Sequence, residues 1–579
     1  MSTATEIAAP KPVTHRQDKP QNGLAGLKHW RYDLRSGFMV AMISLPFSMG
    51  IAITSGAPPV CGIMSAVIAG FVLPFMGGSY VTISGPAAGL APALFAGMIA
   101  LGDGDLAVGY PRVLVAICIA GVVQFVLAKL KVARLSAIFP AAAIEGMLAA
   151  IGLLIIVKQI PLFFGVPFEG HEFWHILREV PQQLSAIHPE VFWLGVGCTA
   201  LIFTLAALPG RLFKIMPPAM WAFVLGTVVA QFFLPISPEN LIHVPDAPLK
   251  NGIVLPDFRG VFAHSELWGS LAVVVVTLVL IDGAESLATI AAVDKLDPYR
   301  RKSDPDRTLL AMGTSNVASS LLGGLTIIPG IVKSTANILG GGRTQWANFY
   351  NACFLLSFLF FARGLINMVP TCVLASILIF IGYKLCRPKV WKHMASVGKE
   401  QLFIFATTVV VTVSTDLLIG LAAGVGIKFV LCLWYNLGGV LTGQGWPRRL
   451  AQSCGDLVRN PVGRREFAEG TYELHVDRPM VCFNLFHLIR EMDRIPKNAK
   501  QVNLQISDKV TLIDHTTCEN LLHYMDQFNN SNGAGRPRLE LQGFAEMRQT
   551  TPDESSIRLP NRRDALPMST ACRKGNDVV

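Results

Sequence analysis

The sequence predicts an all-α polytopic membrane protein with a small α/β unit near its C-terminal end. Three observations carry this prediction. Only 15% of the 579 residues are charged and 52% are hydrophobic, whereas soluble domains run near one quarter charged. The charges crowd into residues 1–36, a few short loops and the chain after Arg448. Between them lie roughly 400 residues of near-continuous apolar sequence, room for about a dozen spans of ~20 residues. Lys and Arg also collect in alternate loops, as positive-inside topology requires.

These numbers exclude most other classes. A soluble enzyme of this length needs far more polar surface. The net charge of +10 could suggest nucleic acid, but no basic stripe with interleaved aromatics is present, so no nucleic-acid partner is expected. Seven of eleven cysteines lie in or beside apolar segments and none forms a CxxC pair. That argues against zinc and against a disulfide framework. No H-E-x-x-H, G-x-S-x-G or phosphate loop occurs, so neither an enzyme nor a cofactor is expected.

The elements follow in order. Residues 1–30 are polar, lack an apolar signal-peptide region and read as a disordered cytoplasmic tail. Apolar segments fall at 37–56, 60–76, 81–101, 112–128, 137–160, 189–208, 217–234, 267–292, 308–324, 330–339, 347–362, 367–383, 401–415 and 416–437. These fourteen make residues 31–441 a transmembrane domain. With the N-terminus inside, cytoplasmic loops hold Lys129, Lys131 and Arg134; Arg211 and Lys214; Lys295, Arg300, Arg301, Lys302 and Arg307; and Lys384, Arg387, Lys389, Lys392 and Lys399. Both termini are then cytoplasmic and the protein sits in the cell (inner) membrane. Residues 442–470 read as a linker. Residues 471–545 read as a small α/β unit, with strands at 472–476, 480–483, 501–506 and 538–542 and helices at 485–494 and 514–528. Residues 546–579 read as a disordered tail.

Two segments are interrupted by Gly and Pro, one at Ser84-Gly85-Pro86 and one at Pro329-Gly330. They stand third and tenth of fourteen, equivalent places in two seven-segment halves, as in inverted-repeat transporters. A helix that starts inside a membrane exposes unpaired N–H groups and a positive dipole end. Two such starts facing one another make an anion site; ordinary kinked helices are the plainer alternative.

Charges inside the apolar region are expensive and point to function. Lys333 lies in the first turn of the tenth segment. Asp282 and Glu285, spaced i,i+3, share one face of the eighth, and Thr289 adds a hydroxyl one turn on. A lysine at a helix start opposes the dipole, so a compensating anion or carboxylate is expected, with Glu285 the candidate partner. A purely structural Lys333–Glu285 ion pair is the competing reading. Glu145 also lies inside an apolar segment, the fifth.

The stretch Asp33-Leu34-Arg35-Ser36-Gly37, then Leu45-Pro46, then Ser55-Gly56-Ala57-Pro58-Pro59-Val60-Cys61-Gly62 resembles the signature of SulP anion transporters. Ser84-Gly85-Pro86-Ala87-Ala88-Gly89, Gly323-Gly324, Val332-Lys333-Ser334-Thr335-Ala336-Asn337, Gly341-Gly342-Arg343-Thr344 and Thr415-Asp416-Leu417-Leu418-Ile419-Gly420 extend the resemblance in order. It implies fourteen segments in a 7+7 inverted repeat, with a movable core domain, a gate domain, a homodimer and a cytoplasmic STAS domain. Asp514-His515-Thr516-Thr517 stands where STAS domains often carry D-S-x-G. The missing Ser and Gly count against a phosphorylation switch.

On this resemblance the substrate site comprises Pro46, Phe47 and Ser48 on one side. Ser84, Gly85, Pro86, Ala87 and Ala88 face Gly330, Ile331, Val332, Lys333 and Ser334 on the other. Glu285, Thr289 and Asp282 are the coupling-ion candidates. Many members carry Gln where Phe47 stands and Arg where Lys333 stands. Sodium-coupled bicarbonate members lack that cation and hold sodium on a carboxylate and a hydroxyl of the eighth segment. Here Glu285 with Thr289 could hold sodium, or Lys333 could replace the ion and leave Glu285 as a proton site. The expectation is a secondary transporter of a small oxyanion, bicarbonate favoured and sulfate next. The alternatives are a dicarboxylate or nucleobase carrier of the same fold, or an anion channel.

Overall fold

The computed structural model describes residues 19–131, 140–168, 173–208, 218–243, 253–299, 301–415, 417–438, 446–468, 470–492, 494–496, 499, 501–531 and 538–561. The expected tails fall largely outside these residues, at 1–18 and 562–579, as do Arg134, Arg211, Lys214 and Arg300. The chain divides into two compact units.

The first unit holds residues up to 136, 143–390 and 405–423. Its helices are α1 (Trp30–Thr54), α2 (Pro59–Met76), α3 (Ala91–Leu101), α4 (Leu106–Lys129), α5 (Ala141–Lys158), α6 (Ile160–Phe164), α7 (Phe173–Gln183), α8 (Pro189–Ala207), α9 (Pro218–Phe233), α10 (Phe258–Phe262) and α11 (Leu267–Leu296). Then come α12 (Pro305–Leu321), α13 (Ile331–Leu339), α14 (Trp346–Phe361), α15 (Arg363–Ile366) and α16 (Thr371–Cys386), followed by α17 (Pro388–Val397), α18 (Lys399–Ser414) and α19 (Leu417–Asn436), whose residues are shared with the second unit. Each of the fourteen apolar stretches contains a helix. Among the described residues, eight helical stretches are long and apolar enough to cross a membrane: Gly23–Thr54, Pro59–Met76, Leu106–Lys129, Ala141–Phe164, Pro189–Ala207, Leu267–Asp294, Thr371–Val397 and Ile419–Asn436. The helices α3, α9 and α14 are apolar but shorter. Small residues let these helices pack closely, Gly70 of α2 against Ala352 of α14 and Gly121 of α4 against Gly313 of α12, as membrane interiors favour.

One feature departs from the all-α expectation. Strands β1 (Ile83–Pro86) and β2 (Ile327–Gly330) pair antiparallel, with Ile83 opposite Gly330 and Pro86 opposite Ile327. They are the lead-ins to α3 and α13. Extended backbone in an apolar interior has no water to bond. Each lead-in satisfies the other, and four-residue strands carry no readable period.

The second unit holds residues 137–142, 391–404 and 424 onward. Its helix α20 (Trp446–Val458) precedes strand β3 (Val462–Ala468), both within the stretch expected to be a linker. Then come β4 (Thr471–Val476), α21 (Leu485–Met492), β5 (Gln501–Ile506), α22 (His515–Ser531) and β6 (Arg538–Gln542). The sheet runs β3-β4-β5-β6, with β4–β5 and β5–β6 parallel and β3 antiparallel to β4. Residues 480–483, expected as a strand, contribute only one isolated bridge, Met480 to Ile513. Short strands β7 (Arg548–Gln549) and β8 (Arg558–Leu559) pair within the stretch expected to be a disordered tail. Arg558 is buried and donates to the Phe544 carbonyl, which ties this extension down.

This unit is pinned by one buried ion pair. Lys428 Nζ, on α19, lies 3.1 Å from Asp514 Oδ2, and the two side chains are 1% and 0% exposed. Asp514 also accepts from the backbone N–H of Thr517 and Cys482, which makes it the cap of α22. Burial alone would push its carboxyl up. The Lys428 ammonium and these donors outweigh burial and hold it below the usual carboxylate range. Beside it, Thr516 Oγ1 accepts from the N–H of Ala141, the first residue of α5.

Removing one member of a buried pair costs about 3–5 kcal/mol, because it strands the other charge. Asp514→Asn and Lys428→Met should each lower the melting temperature of the purified protein strongly. The double variant should recover part of the loss. Because the folded-state pKa of Asp514 is depressed, its contribution is complete above the ordinary carboxylate range. It should fade only on acidification below about pH 4. A melting series on Asp514→Asn should lack that acid limb.

Candidate functional site

The site is built where β1, β2 and the starts of α3 and α13 meet α1. Helix α13 starts at Ile331 behind an extended Gly330, with no side chain capping its first N–H groups. Helix α3 starts at Ala91 behind Leu90, also without a side-chain cap. This start is later than the Ser84–Ala88 stretch expected from sequence. Of the backbone donors there, the N–H of Ile83 goes to Ser334 Oγ, that of Ser84 to Asn348 Oδ1, and that of Ala87 to the Thr326 carbonyl. Pro86 has none. The Gly85–Ala88 side is therefore largely committed to holding the strands, and the α13 side keeps the freer helix start.

Lys333 dominates the site. It is 1% exposed. Its Nζ donates to Ser48 Oγ at 3.2 Å and lies 4.9 Å from the centre of the Phe47 ring. It also sits against the backbone of Gly85, where a Cβ would come within 2.6 Å of Nζ. Ser44 Oγ lies 3.5 Å from Ser48 Oγ. Pro46, inside α1, has no N–H for the carbonyl of Met42, which loosens the helix beside Phe47 and Ser48. Thus Phe47, Ser48, Gly85 and Lys333 meet. No carboxylate pairs with Lys333 among the described residues, which corrects the expected Lys333–Glu285 ion pair.

Glu285, on α11, goes elsewhere. Its carboxylate packs against the backbone of Gly89, at the turn leading into α3, so closely that any Cβ there would collide with it. Its Oε2 is buried with no hydrogen-bond partner. Thr289 is buried one turn further on. Asp282 is bonded away from both: it accepts from Ser286 Oγ at 2.9 Å and from Asn316 Nδ2 at 2.7 Å. Asn316 Nδ2 also reaches Gln124 Oε1, and its Oδ1 accepts from the N–H of Ile327 in β2. Asp282 thus braces a strand and is a support of the site. Glu145 is half-buried on α5.

Other motif residues brace the site as well. Asp33 accepts from the N–H groups of Arg343 and Thr344 and from Thr344 Oγ1. Ser36 Oγ donates to Asn337 Oδ1, and Asn337 Nδ2 donates to the Val81 carbonyl. The D-L-x-x-G and G-G-R-T stretches therefore clamp the far end of α13. Sequence reasoning did not find the amides Gln124, Asn316, Asn337 and Asn348. Their signal was an uncharged polar side chain inside an apolar run, which a search for charges passes over.

An uncapped half-helix, a buried cation and a separate buried carboxylate, set among membrane-spanning helices, define a multi-pass membrane transporter of anions, not an enzyme. The chain belongs to the sulfate permease family, whose model matches residues 30–408. It is 26% identical over 412 residues to the bicarbonate transporter BicA of Picosynechococcus, covering 70% of each chain. It is 28% identical over 407 residues to the putative sulfate transporter YvdB of Bacillus subtilis, covering 70% of this chain and 74% of that one. The solved transmembrane domain of a cyanobacterial BicA superposes with a TM-score of 0.60 at 24% identity, over 69% of this chain and 98% of that one. The structure of SLC26A9 superposes with a TM-score of 0.62 at 13% identity, over 88% and 84%. The family match ends at residue 408, before the C-terminal α/β region, whose sheet and helices are consistent with a STAS domain.

Gly89→Ala should force the Glu285 carboxylate aside and reduce anion flux in proteoliposomes at least about ten-fold, a loss of roughly 1.4 kcal/mol, in protein that still elutes as a folded species. Asn316→Ala strands one oxygen of Asp282 and should lower stability by about 1–3 kcal/mol, read as a fall in melting temperature.

Proposed function

We propose that this protein is a secondary transporter that moves bicarbonate across the cell (inner) membrane by alternating access, with sulfate the next substrate. The observation that carries the reading is Lys333, a buried cation without a carboxylate partner at an uncapped helix start. A buried charge needs a counter-charge, and in this reading it comes from outside the chain. One ammonium balances one negative charge, which favours a singly charged oxyanion over a doubly charged one. Phe47 in the wall narrows the site toward a small ligand. Ile331, Val332 and Lys333 would offer N–H groups to its oxygens, with Ser48 and Ser334 as hydroxyl neighbours.

Glu285 is the coupling site in this reading. An oxygen buried without a donor is satisfied by a proton or by a bound cation. Lys333 supplies the fixed charge that sodium would otherwise provide, so a proton at Glu285 is favoured; sodium at Glu285 and Thr289 is the second form. Fourteen segments in a 7+7 inverted repeat would let a core bearing α3 and α13 move against a gate. The basic loops would face the cytoplasm with both termini, and two chains would form a dimer. A nucleobase carrier is disfavoured because Lys333 has no use for a neutral ligand.

The test is flux in proteoliposomes loaded with bicarbonate or sulfate, with and without sodium. Lys333→Ala should abolish uptake of both. Glu285→Gln should retain exchange but lose its dependence on a proton or sodium gradient. If both variants keep the parental flux and pH dependence, the assignment is wrong. Single-channel currents instead of saturating counterflow would establish a channel.

A further inference from the structure

Another cation, half-buried, lies away from this site. Lys158 is the last residue of α5. The basic loops follow α4 and α16 and include Lys129, Lys131, Lys384 and Arg387. Helix α5 starts on their side, so Lys158 lies at the opposite end of the bundle. There the first unit contains a cavity of about 1220 Å³. Its walls come from α3, the first half of α11, the start of α7 and the α18–α19 turn, and Lys158 is among its lining residues.

Two polar groups in that lining have no hydrogen-bonding or ionic partner among the described residues. No carboxylate pairs with Lys158 among the described residues; its Nζ rests 4.1 Å from the centre of the Phe95 ring on α3. Thr412, 1% exposed, has an Oγ1 with no hydrogen-bond partner. A lysine at a membrane boundary ordinarily extends its ammonium toward the headgroups. This one folds back over an aromatic ring that faces the cavity. The carbonyls at the end of α5 favour a cation, but they leave its outward side unpaired. The other charged groups in the lining are His175 and Glu266, and neither bonds Lys158.

We propose that this cavity is a second anion site. Lys158 supplies the charge for a small, singly charged oxyanion entering or leaving on the face opposite the basic loops, with Thr412 in the cavity wall. The inference rests on the transport reading above for its ligand. It goes beyond that reading in making access two-step: the cation on α5 receives the ion before the Lys333 site takes it. Phe95, on α3, would cover the ammonium when the cavity is empty and yield to the arriving anion, since the ring is the weaker partner.

Two measurements test this. The first reads binding alone. In purified Lys333→Ala protein, sodium bicarbonate should still raise the melting temperature relative to an equal concentration of sodium gluconate. Adding Lys158→Met should abolish that increment, and adding Lys158→Arg instead should keep it. The second reads flux in vesicles of known orientation. Lys158→Met alone should raise the half-saturating bicarbonate concentration on the face opposite the basic loops by about five-fold or more, the effect of roughly 1 kcal/mol. The other face should stay at its parental value. An increment that survives Lys158→Met overturns the proposal, as does an unchanged half-saturation or an equal change on both faces. A melting temperature that depends on anionic phospholipid only when Lys158 is present, with parental flux kinetics, would make the ligand a lipid headgroup and also overturn it. If the parental protein carries no oxyanion at all, the transport reading fails. The melting experiment then still decides whether Lys158 binds one.

Discussion

Water is absent from most of this molecule's surroundings, and the fold is shaped by what its backbone does without it. A helix that starts in mid-membrane needs an extended approach, and an extended approach leaves its N–H and C=O groups bare. The pairing of β1 with β2 meets that requirement for two approaches at once. Everything at the site hangs from this small ladder. It fixes where α3 and α13 begin and brings Gly85 against Lys333. Asn316, holding both Asp282 and the N–H of Ile327, ties the ladder to α11 and α12. Asn348 and Ser334 tie it to α14 and back to α13. The polar side chains in the core are thus mostly scaffolding for backbone that could not otherwise exist at that depth.

Against this background the two charges left over are informative. Nearly every buried carboxylate near the site is occupied: Asp33 by a turn, Asp282 by two side chains, Asp297 by Arg301. Lys333 and Glu285 are not occupied by one another, although sequence spacing suggested that they would be. They contact the same lead-in to α3, Lys333 at Gly85 and Glu285 at Gly89. These glycines stand four positions apart, and both lack the Cβ that would keep a side chain away. A movement of the β1–α3 connection would therefore be felt by both charges.

Much of this was legible in the sequence for simple reasons. Long apolar runs and biased loop charges mark spans and sides. Gly and Pro mark the broken helices, and a charge inside an apolar run marks itself. Other features were hidden for equally physical reasons. Helix α20 opens Trp446-Pro447-Arg448, and its proline and arginines suggest a linker, yet proline in a first turn begins helices readily. Strand β3 carries Arg464, Arg465 and Glu466 on an edge of the sheet, where charge is a protection and not a sign of disorder. The Lys333–Glu285 pairing failed because spacing along each helix says nothing about which helices face each other.

The Lys428–Asp514 pair has a consequence for how the chain can be divided. Helix α19 is apolar enough to span a membrane, yet a lysine inside it depends on an acid more than eighty residues later. The start of α5 similarly leans on Thr516. The α/β unit is therefore not an appendage hung from a finished transporter. It completes the start of α5 and the later turns of α19, whose residues Ala141 and Lys428 belong to the same unit, and a protein cut after α19 would carry an orphaned ammonium near its new terminus. Deleting that unit strands the Lys428 ammonium unless position 428 is rewritten at the same time.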